Sequence, residues 1–345
     1  VDVPDTEVLA GRLLGELAFK RAVLIPCTDY WVRVVANLPE NLQQRFPSSV
    51  PPSAVVDQLV DKRRFAGLLK AHAVPHPITL PLATESDLEK ADLSKLAQGF
   101  LKPTNSQAFG AHFRKKAFSF STREEALTRF RESSAAGFEV ILQEYIPGPA
   151  TEHFFLDGFI DREGTFRGRF ARRRLRMYPP KFGNSTYLVS VPLDEMRDGV
   201  ESLERLLTAV RYRGIFSAEF KRDPRNNQLK LLEINARPWW YVGFAVDCGI
   251  NVVHMAYLDA LGLPVPDAKK YSAGVHFVFT GYDGMACREL RADGKLGLLR
   301  WGWQWLTAKQ ALFVWYDPWP SVQSWGIRFG RSLMRHLLRR AVSAI

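Results

Sequence analysis

Residues Gly214–Pro238 read GIFSAEFKRDPRNNQLKLLEINARP. In the first half Ser217, Glu219 and Lys221 alternate with Phe216, Ala218 and Phe220; in the second, Glu233, Asn235 and Arg237 alternate with Leu232, Ile234 and Ala236. A period of two marks a β-strand and puts each polar set on one side of it. The PRNN segment between the halves consists of turn formers, so the stretch reads as a β-hairpin. Two carboxylates, an amide and a guanidinium then share one face. Pairing of Pro224 near Gln228 sets Glu219 opposite Glu233, with Cβ atoms roughly 4.5–5.5 Å apart. Like charges that close repel, and one group tends to stay protonated. A divalent cation removes the conflict, and hard oxygen donors suit Mg²⁺.

The bulk composition frames this hairpin. At 345 residues and 46% hydrophobic content, the chain is long enough for two or three packed lobes. Cys27, Cys248 and Cys287 are too few and too scattered for a disulfide framework, and no CxxC is present, which favours a reducing compartment over zinc or dithiol chemistry. No apolar run reaches membrane-spanning length and no secretory pattern is present. The chain opens Val-Asp-Val-Pro without Met, as a fragment or a processed chain does. A net charge of +11 points to anionic partners (nucleotides, acidic substrates, nucleic acid or an anionic membrane) or simply to an uneven basic surface.

Along the chain, Ala22–Pro26 reads as a short buried strand, Asp29–Phe46 as a helix and Val55–His72 as a second helix. Gly99–Lys102, Lys116–Phe120 and Phe138–Ile146 read as strands, with a helix over Thr122–Ala136. Strand-like runs then dominate: EHFFLDGFID, TFRGRFARR and TYLVSVPL. Asp194–Arg211 and Val246–Leu261 read as helices. The stretch Arg167–Arg176 carries six arginines in ten residues; alternation puts Arg172, Arg174 and Arg176 on one face and Arg173 on the other. From Tyr271 the chain is rich in Trp, including Trp301, Trp303, Trp305, Trp315, Trp319 and Trp325. Ser321–Ile345 has helical spacing of Val322, Trp325, Phe329, Leu333, Leu337 and Val342, with arginines alongside. Such a helix either docks on the body of the protein or lies on an anionic membrane.

These segments, in this order, resemble the ATP-grasp superfamily from about Val23 to Leu263, and most of all its carboxylate–amine ligases of the D-aspartate ligase type. The carrying motifs are Asp61-Lys62, AVPHPIT, FLKP with Lys102, LQEYIPG and the carboxylate hairpin. The resemblance implies an α/β architecture: two α/β lobes clasping ATP, preceded by a truncated Rossmann-like domain. The implied boundaries are 1–75 for that partial domain, 76–147 for the small lobe, 148–270 for the large lobe with the metal site, and 271–345 for a C-terminal extension. It further implies ATP and Mg²⁺ as cofactors, the latter as a pair of ions that Mn²⁺ can replace. Lys62 and Lys102 match the lysines near the ATP phosphates. Gln143, Glu144 and Ile146 match the adenine-holding hinge, and Glu152 the acid at the ribose. Glu219, Glu233 and Asn235 match the metal ligands, and Arg237 the arginine at the phosphate. Arg172 or Arg174 is expected to meet the γ-phosphate or an acidic substrate, with Gly183–Thr186 as a loop over it. One departure stands out: the glycine-rich closing loop is replaced by PTNSQAFGAHF, where Ser106 and its small neighbours would offer backbone N–H groups.

The implied reaction activates a carboxylate as an acyl phosphate, which an amine then attacks, in a cytoplasmic enzyme acting on a small acidic or amino-acid substrate. No nucleic acid is expected, and a dimer is compatible with the sequence. Two alternatives stay open: carboxyphosphate chemistry on the same fold, and a non-enzymatic protein that binds anionic membrane or nucleic acid. Glu233→Gln is expected to abolish Mg²⁺-dependent turnover and leave the circular dichroism spectrum unchanged; wild-type turnover would remove Glu233 from the ligand set.

Overall fold

The structure, a computed structural model, describes residues 11–12, 14–96, 99–104, 106–180, 183–311, 313, 317–319 and 321–323. Trp315, Trp325 and nearly all of the tail helix expected over 321–345 lie outside the described residues, as does the Ser106 side chain. The chain divides into two compact units, the first comprising 1–174 and 190–274, the second 175–189 and 275–345.

After helical residues 11–12 and 14–16, the first unit carries the short helices α1 (Asp29–Ala36), α2 (Glu40–Arg45), α3 (Ser53–Val60) and α4 (Lys62–Ala71). Each expected long helix is thus two. Pro39 supplies no N–H to continue α1 and instead starts α2. Asp61 leaves helical geometry and accepts from the backbone N–H groups of Arg63 and Arg64, so it caps α4 where a continuous helix was expected. Ala22–Pro26 is extended but forms no strand. Its backbone N–H groups at Ala22 and Leu24 donate to the Arg45 and Pro47 carbonyls, and the Leu24 carbonyl accepts from Ser48 Oγ, with no ladder formed.

A small antiparallel sheet follows, with strands β1 (Thr79–Pro81), β2 (Gly99–Pro103), β3 (Phe118–Ser119) and β4 (Val140–Glu144) in the order β1-β4-β2-β3. It packs its apolar face on α5 (Glu85–Lys90), α6 (Ser106–Phe113) and α7 (Arg123–Ala135) through Leu88, Leu101, Phe109, Phe130 and Leu142. Thr122 caps α7, its side chain accepting from the Glu125 backbone N–H.

The larger sheet of this unit runs β6-β5-β8-β9 and is antiparallel throughout: β5 (His153–Ile160), β6 (Phe166–Tyr178), β8 (Gly214–Asp223) and β9 (Gln228–Asn235). β7 (Asn184–Ser190) precedes α8 (Arg197–Ala209), whose Leu203, Leu206 and Leu207 are fully buried. Helices α9 (Val242–Asp247) and α10 (Val252–Ala260) replace the single helix expected over 246–261. Gly249, at φ +107°, takes a conformation that a helix cannot carry through. Phe216, Ala218 and Phe220 of β8 form the fully buried core face of the hairpin.

The hairpin register holds a detail that alternation alone does not reveal. At the turn Asp223 pairs with Gln228, one residue short of the pairing expected, and Asn227 closes the turn in the left-handed region at φ +60°. That register, continued, would bring Glu233 opposite Ala218 in the core. A β-bulge intervenes: Phe220 pairs with Leu231, Glu219 with Glu233, and Leu232 is the extra residue. Glu219 therefore does face Glu233.

In the second unit β10 (His276–Val278) is antiparallel to β7 and parallel to β11 (Lys309–Gln310), alongside α11 (Thr280–Ala292) and α12 (Leu298–Thr307). Its centre is Asp283, fully buried, which accepts from Arg176 Nε and Nη2 at 2.8 Å each, from Thr186 Oγ1 at 2.8 Å and from Trp301 Nε1 at 2.8 Å. Every lone-pair direction of this carboxylate is used, which is the condition for burying a charge. Asn184–Thr186 accordingly belong to β7 and to this unit, not to the phosphate loop expected there.

Replacing Asp61 with Ala removes the α4 cap and is expected to lower unfolding free energy by about 1 kcal/mol in urea titration.

Candidate active site

The polar face of the larger sheet is built in rows. Arg172, Phe155, Glu219 and Glu233 lie side by side across β6, β5, β8 and β9. Asp157, Ser217 and Asn235 form the next row. On the other side His153, Lys221 and Lys230 line up across β5, β8 and β9, and Arg174 lies two residues on from Arg172. Strand periodicity thus brings the expected metal ligands together with two of the expected arginines.

Glu219 Oε1 accepts from His153 Nδ1 at 2.7 Å and from Arg174 Nη2 at 3.0 Å. Burial alone would raise this carboxyl's pKa; the Arg174 guanidinium, with His153 and Arg172, reverses that and holds it far below the usual range. Burial, followed by Arg174, lowers His153 to about 4 against the pull of Glu219. The imidazole is therefore neutral at pH 7 and its Nδ1–H donates to Glu219. Asn235 Nδ2 donates to Glu233 Oε1 at 3.4 Å, and Asn235 Oδ1 accepts from Arg237 Nη2 at 2.9 Å. One oxygen of each acid, Glu219 Oε2 and Glu233 Oε2, has no partner among the described residues. Among the described residues no three His, Cys, Asp or Glu side chains converge on one point, so the donor set is two carboxylates and an amide. Two opposed oxygens, at least one of them on a firmly ionised carboxylate, fit a hard cation such as Mg²⁺.

The two candidate arginines differ. Arg172 is 2% exposed and spends its charge on Asp157, with Nε to Oδ2 at 2.6 Å, while stacking 3.9 Å from the Phe155 ring centroid. Arg174 reaches Glu219 itself. Arg176 belongs to the second unit, and Arg173, on the opposite face, donates to the Thr151 carbonyl.

Three lysines approach the acidic pair from the small sheet and its neighbours. Lys62, the first residue of α4, donates to the Thr104 carbonyl at 3.3 Å. Burial and then Lys102 lower it to about 8, while Glu233, Asp29 and Asp61 act in the other direction. Lys116 is lowered by burial, and then feels the opposing pull of Glu233 and Glu219. Lys62, Lys116 and Arg174 are thus within electrostatic reach of the carboxylates, and Lys102 lies within reach of Lys62 and Lys116. Arg237 Nε donates to Asp29 Oδ1 at 2.6 Å.

The expected hinge residues are placed differently. Glu144 is 2% exposed and turned into the protein: its Oε2 accepts from Ile78 N at 3.0 Å and from Lys230 Nζ at 3.3 Å, and Arg225 pairs with Oε1. Gln143 Nε2 donates to Thr79 Oγ1 at 3.0 Å, and Ile146 is buried. Glu152 lies 3.5 Å from Arg173 and 3.9 Å from Arg222. Ser106 begins α6. Sequence reading gave no role to Asp29, Lys116, His153 and Lys221, although Lys221 was placed with Glu219 on the polar side of its strand. His153 was findable by extending that alternation across β5, where it pairs with Lys221; Asp29 and Lys116 reach the site only through tertiary packing.

This two-sheet arrangement, with its carboxylate hairpin, is the ATP-grasp fold. No family model matches the chain. It is 27% identical over 248 residues to a D-aspartate ligase of Enterococcus faecium (strain Aus0004), a match covering 70% of this chain and 59% of that protein. The chain thus spans about three fifths of that relative's length. Among solved structures it is similar to N5-carboxyaminoimidazole ribonucleotide synthetase from Thermus thermophilus, with TM-score 0.58, 18% identity and coverage of 80% of this chain and 69% of that one. It is also similar to the biotin carboxylase domain of Hydrogenobacter thermophilus 2-oxoglutarate carboxylase, in complex with MgADP, at TM-score 0.61, 14% identity and coverage of 79% and 60%. The L-amino acid ligase of Bacillus licheniformis gives TM-score 0.53 at 16% identity, covering 75% of this chain and 60% of that one.

The His153 shift has a pH consequence. Between about 6.5 and about 4 the unfolded chain binds a proton at this position and the folded chain does not, so stability falls as pH drops through that window. Glu219, whose pKa is depressed, gives up its contribution only at lower pH. His153→Asn is expected to flatten the wild-type decline, which reaches up to about 3 kcal/mol, in urea titrations at pH 7, 5.5 and 4.5.

Proposed function

We propose that this protein is an ATP-dependent carboxylate–amine ligase, which activates a carboxylate as an acyl phosphate and joins it to an amine with release of ADP and phosphate. The observation that carries the proposal is the Glu219–Glu233 pair on a sheet face, with Lys62, Lys116 and Arg174 in electrostatic reach and Lys102 beside the two lysines. Acids alone would suit a cation and bases alone an anion; both together suit a metal-bound polyphosphate. Glu219, Glu233 and Asn235 would hold Mg²⁺, which when bound offsets charge on the phosphate oxygens. Lys102, Lys62 and Lys116 neutralise phosphate oxygens as charge shifts from the terminal phosphoryl group to the ADP leaving group. Arg237, steadied by Asp29, meets the acyl phosphate as it forms. Arg174 keeps Glu219 ionised, and so acts on the metal site through that residue. No protein nucleophile is required, because the substrate carboxylate attacks.

The finer reading is an acid–amino acid ligase of the D-aspartate ligase type, in the cytoplasm. The likeness to the Enterococcus faecium enzyme and the basic balance of the chain support it. No helix among the described residues is long and apolar enough to cross a membrane. The domains that accompany this reading are 1–75, 76–147, 148–270 and 271–345. Peripheral membrane contact through the tail and assembly as a dimer are secondary parts of the same proposal.

Incubation of the protein with Mg-ATP, a carboxylate library that includes D-aspartate and bicarbonate, and an amine set tests the reading by ADP release and product mass. ADP formation that needs both partners, with a hydroxamate trapped by hydroxylamine, is the expected result. ADP release driven by bicarbonate alone would move the protein to carboxyphosphate chemistry. No ADP with any combination, alongside salt-sensitive binding to DNA or anionic vesicles, would overturn the ligase reading. Lys102→Met is expected to raise the KM for ATP at least tenfold in the same assay.

A further inference from the structure

Helix α12 of the second unit has two faces of opposite kind. Its inner face is pinned by polar contacts. Trp301 Nε1 donates to the buried Asp283, Trp305 Nε1 donates to Thr280 Oγ1 at 3.0 Å, and Gln304 Oε1 accepts from Arg176 Nη1 at 2.6 Å. The outer face carries Leu299, Trp303 and Leu306, spaced i, i+4, i+7, which are 93%, 69% and 71% exposed. Turning the helix to hide them would pull Trp301 off a buried carboxylate, so the contacts that build this unit hold the apolar stripe outward. The solvent face of a surface helix ordinarily carries charge; two leucines and an indole in a row there mark a contact surface.

Charge narrows the partner. Residues 275–345 hold ten Lys and Arg against four Asp and Glu, more than half of the +11 excess in about a fifth of the chain. One of the four acids, Asp283, is buried and paired with Arg176. Arg288, Arg291, Lys295, Arg300 and Lys309 are exposed along the chain that leads into and out of α12. Among the described residues Lys295 alone of these is in an ion pair, with Asp293 at 2.9 Å. The matching surface is therefore both apolar and anionic. A second copy of this face, or the arginine-rich tail over 321–345, would cover the leucines but set positive charge against positive. A nucleic acid would meet the charge and offer nothing to the leucines. An anionic bilayer supplies both: acyl chains for Leu299 and Leu306, the water boundary for the Trp303 indole, and headgroup phosphates for the basic side chains. We propose that the outer face of α12 seats the protein on an anionic lipid bilayer. This seat is distinct from contact through the tail and does not depend on the ligase chemistry.

Co-sedimentation of the full chain with vesicles of phosphatidylcholine, and of phosphatidylcholine mixed equally with phosphatidylglycerol, tests it. The wild type is expected to bind the mixed vesicles and not the neutral ones. Leu299→Ser/Leu306→Ser is expected to lower the partition coefficient by about tenfold or more. Leu299→Ala/Leu306→Ala gives the same comparison should the Ser pair not fold. Absence of wild-type binding would overturn the proposal, as would equal binding to both vesicles. So would a loss with Leu333→Ser/Leu337→Ser in the tail and none with the α12 pair, which would move the contact to the tail. A wild-type dimer that the α12 pair splits in sedimentation velocity, without vesicle binding, would assign the face to a second copy and likewise overturn it. ADP release reads the ligase assignment separately, and none of these outcomes alters that readout.

Discussion

Two carboxylates set opposite each other on a partly buried sheet face cannot stand without cations, and the candidate site is organised around that constraint. Glu219 is stabilised by Arg174 and a neutral His153 within hydrogen-bonding distance. Glu233 has Asn235 at its side and faces lysines from the small sheet and from α4. The lysines in turn repel one another, as the depression of Lys62 by Lys102 shows, so the site holds unresolved charge of both signs. Such an arrangement is costly in the empty protein and becomes favourable when a metal-bound polyphosphate supplies the missing counter-charges. The arginines bring a division of labour. Arg172 closes on Asp157 inside the sheet, Arg174 tunes a carboxylate, and Arg176 anchors Asp283 in the second unit. Three residues of one strand, alike in sequence, thus hold three separate carboxylates.

The parts of this structure that follow from alternation were legible in the sequence. Strands β2, β4, β5, β6, β7, β8 and β9 and the helix α7 follow from period two and period 3.6; the facing of Glu219 and Glu233 was expected too, but it is reached through the bulge at Leu232, which alternation does not reveal. Helix continuity was not legible where a single residue interrupts an apolar stripe. Pro39, Asp61 and Gly249 each split a run whose spacing alone reads as continuous, since spacing reports burial and not backbone hydrogen bonding. Partner choice was the other limit. Glu144 sits in a motif that points to the nucleotide, yet Arg225 and Lys230, more than eighty residues away in the chain, claim its carboxylate. Nothing local announces that. Asp29 and Lys116 are likewise ordinary in their own segments and gain meaning only through packing.

The bulge at Leu232 has a consequence for how this hairpin tolerates change in chain length. A regular ladder continued from the Asp223–Gln228 pair would turn Glu233, Asn235 and Arg237 into the core and present Leu232, Ile234 and Ala236 in their place. The bulge acts on the strand much as a frameshift suppressor acts on a message: one surplus residue is looped out, and the polar and apolar faces read correctly again beyond it. Loss of a residue at Leu232 itself would leave Glu233 still facing Glu219. Loss of one between Glu233 and Asn235 would exchange the two faces for every position that follows. Variation in length should therefore gather at Leu232 and in the turn, whereas variation in composition there carries little chemical meaning.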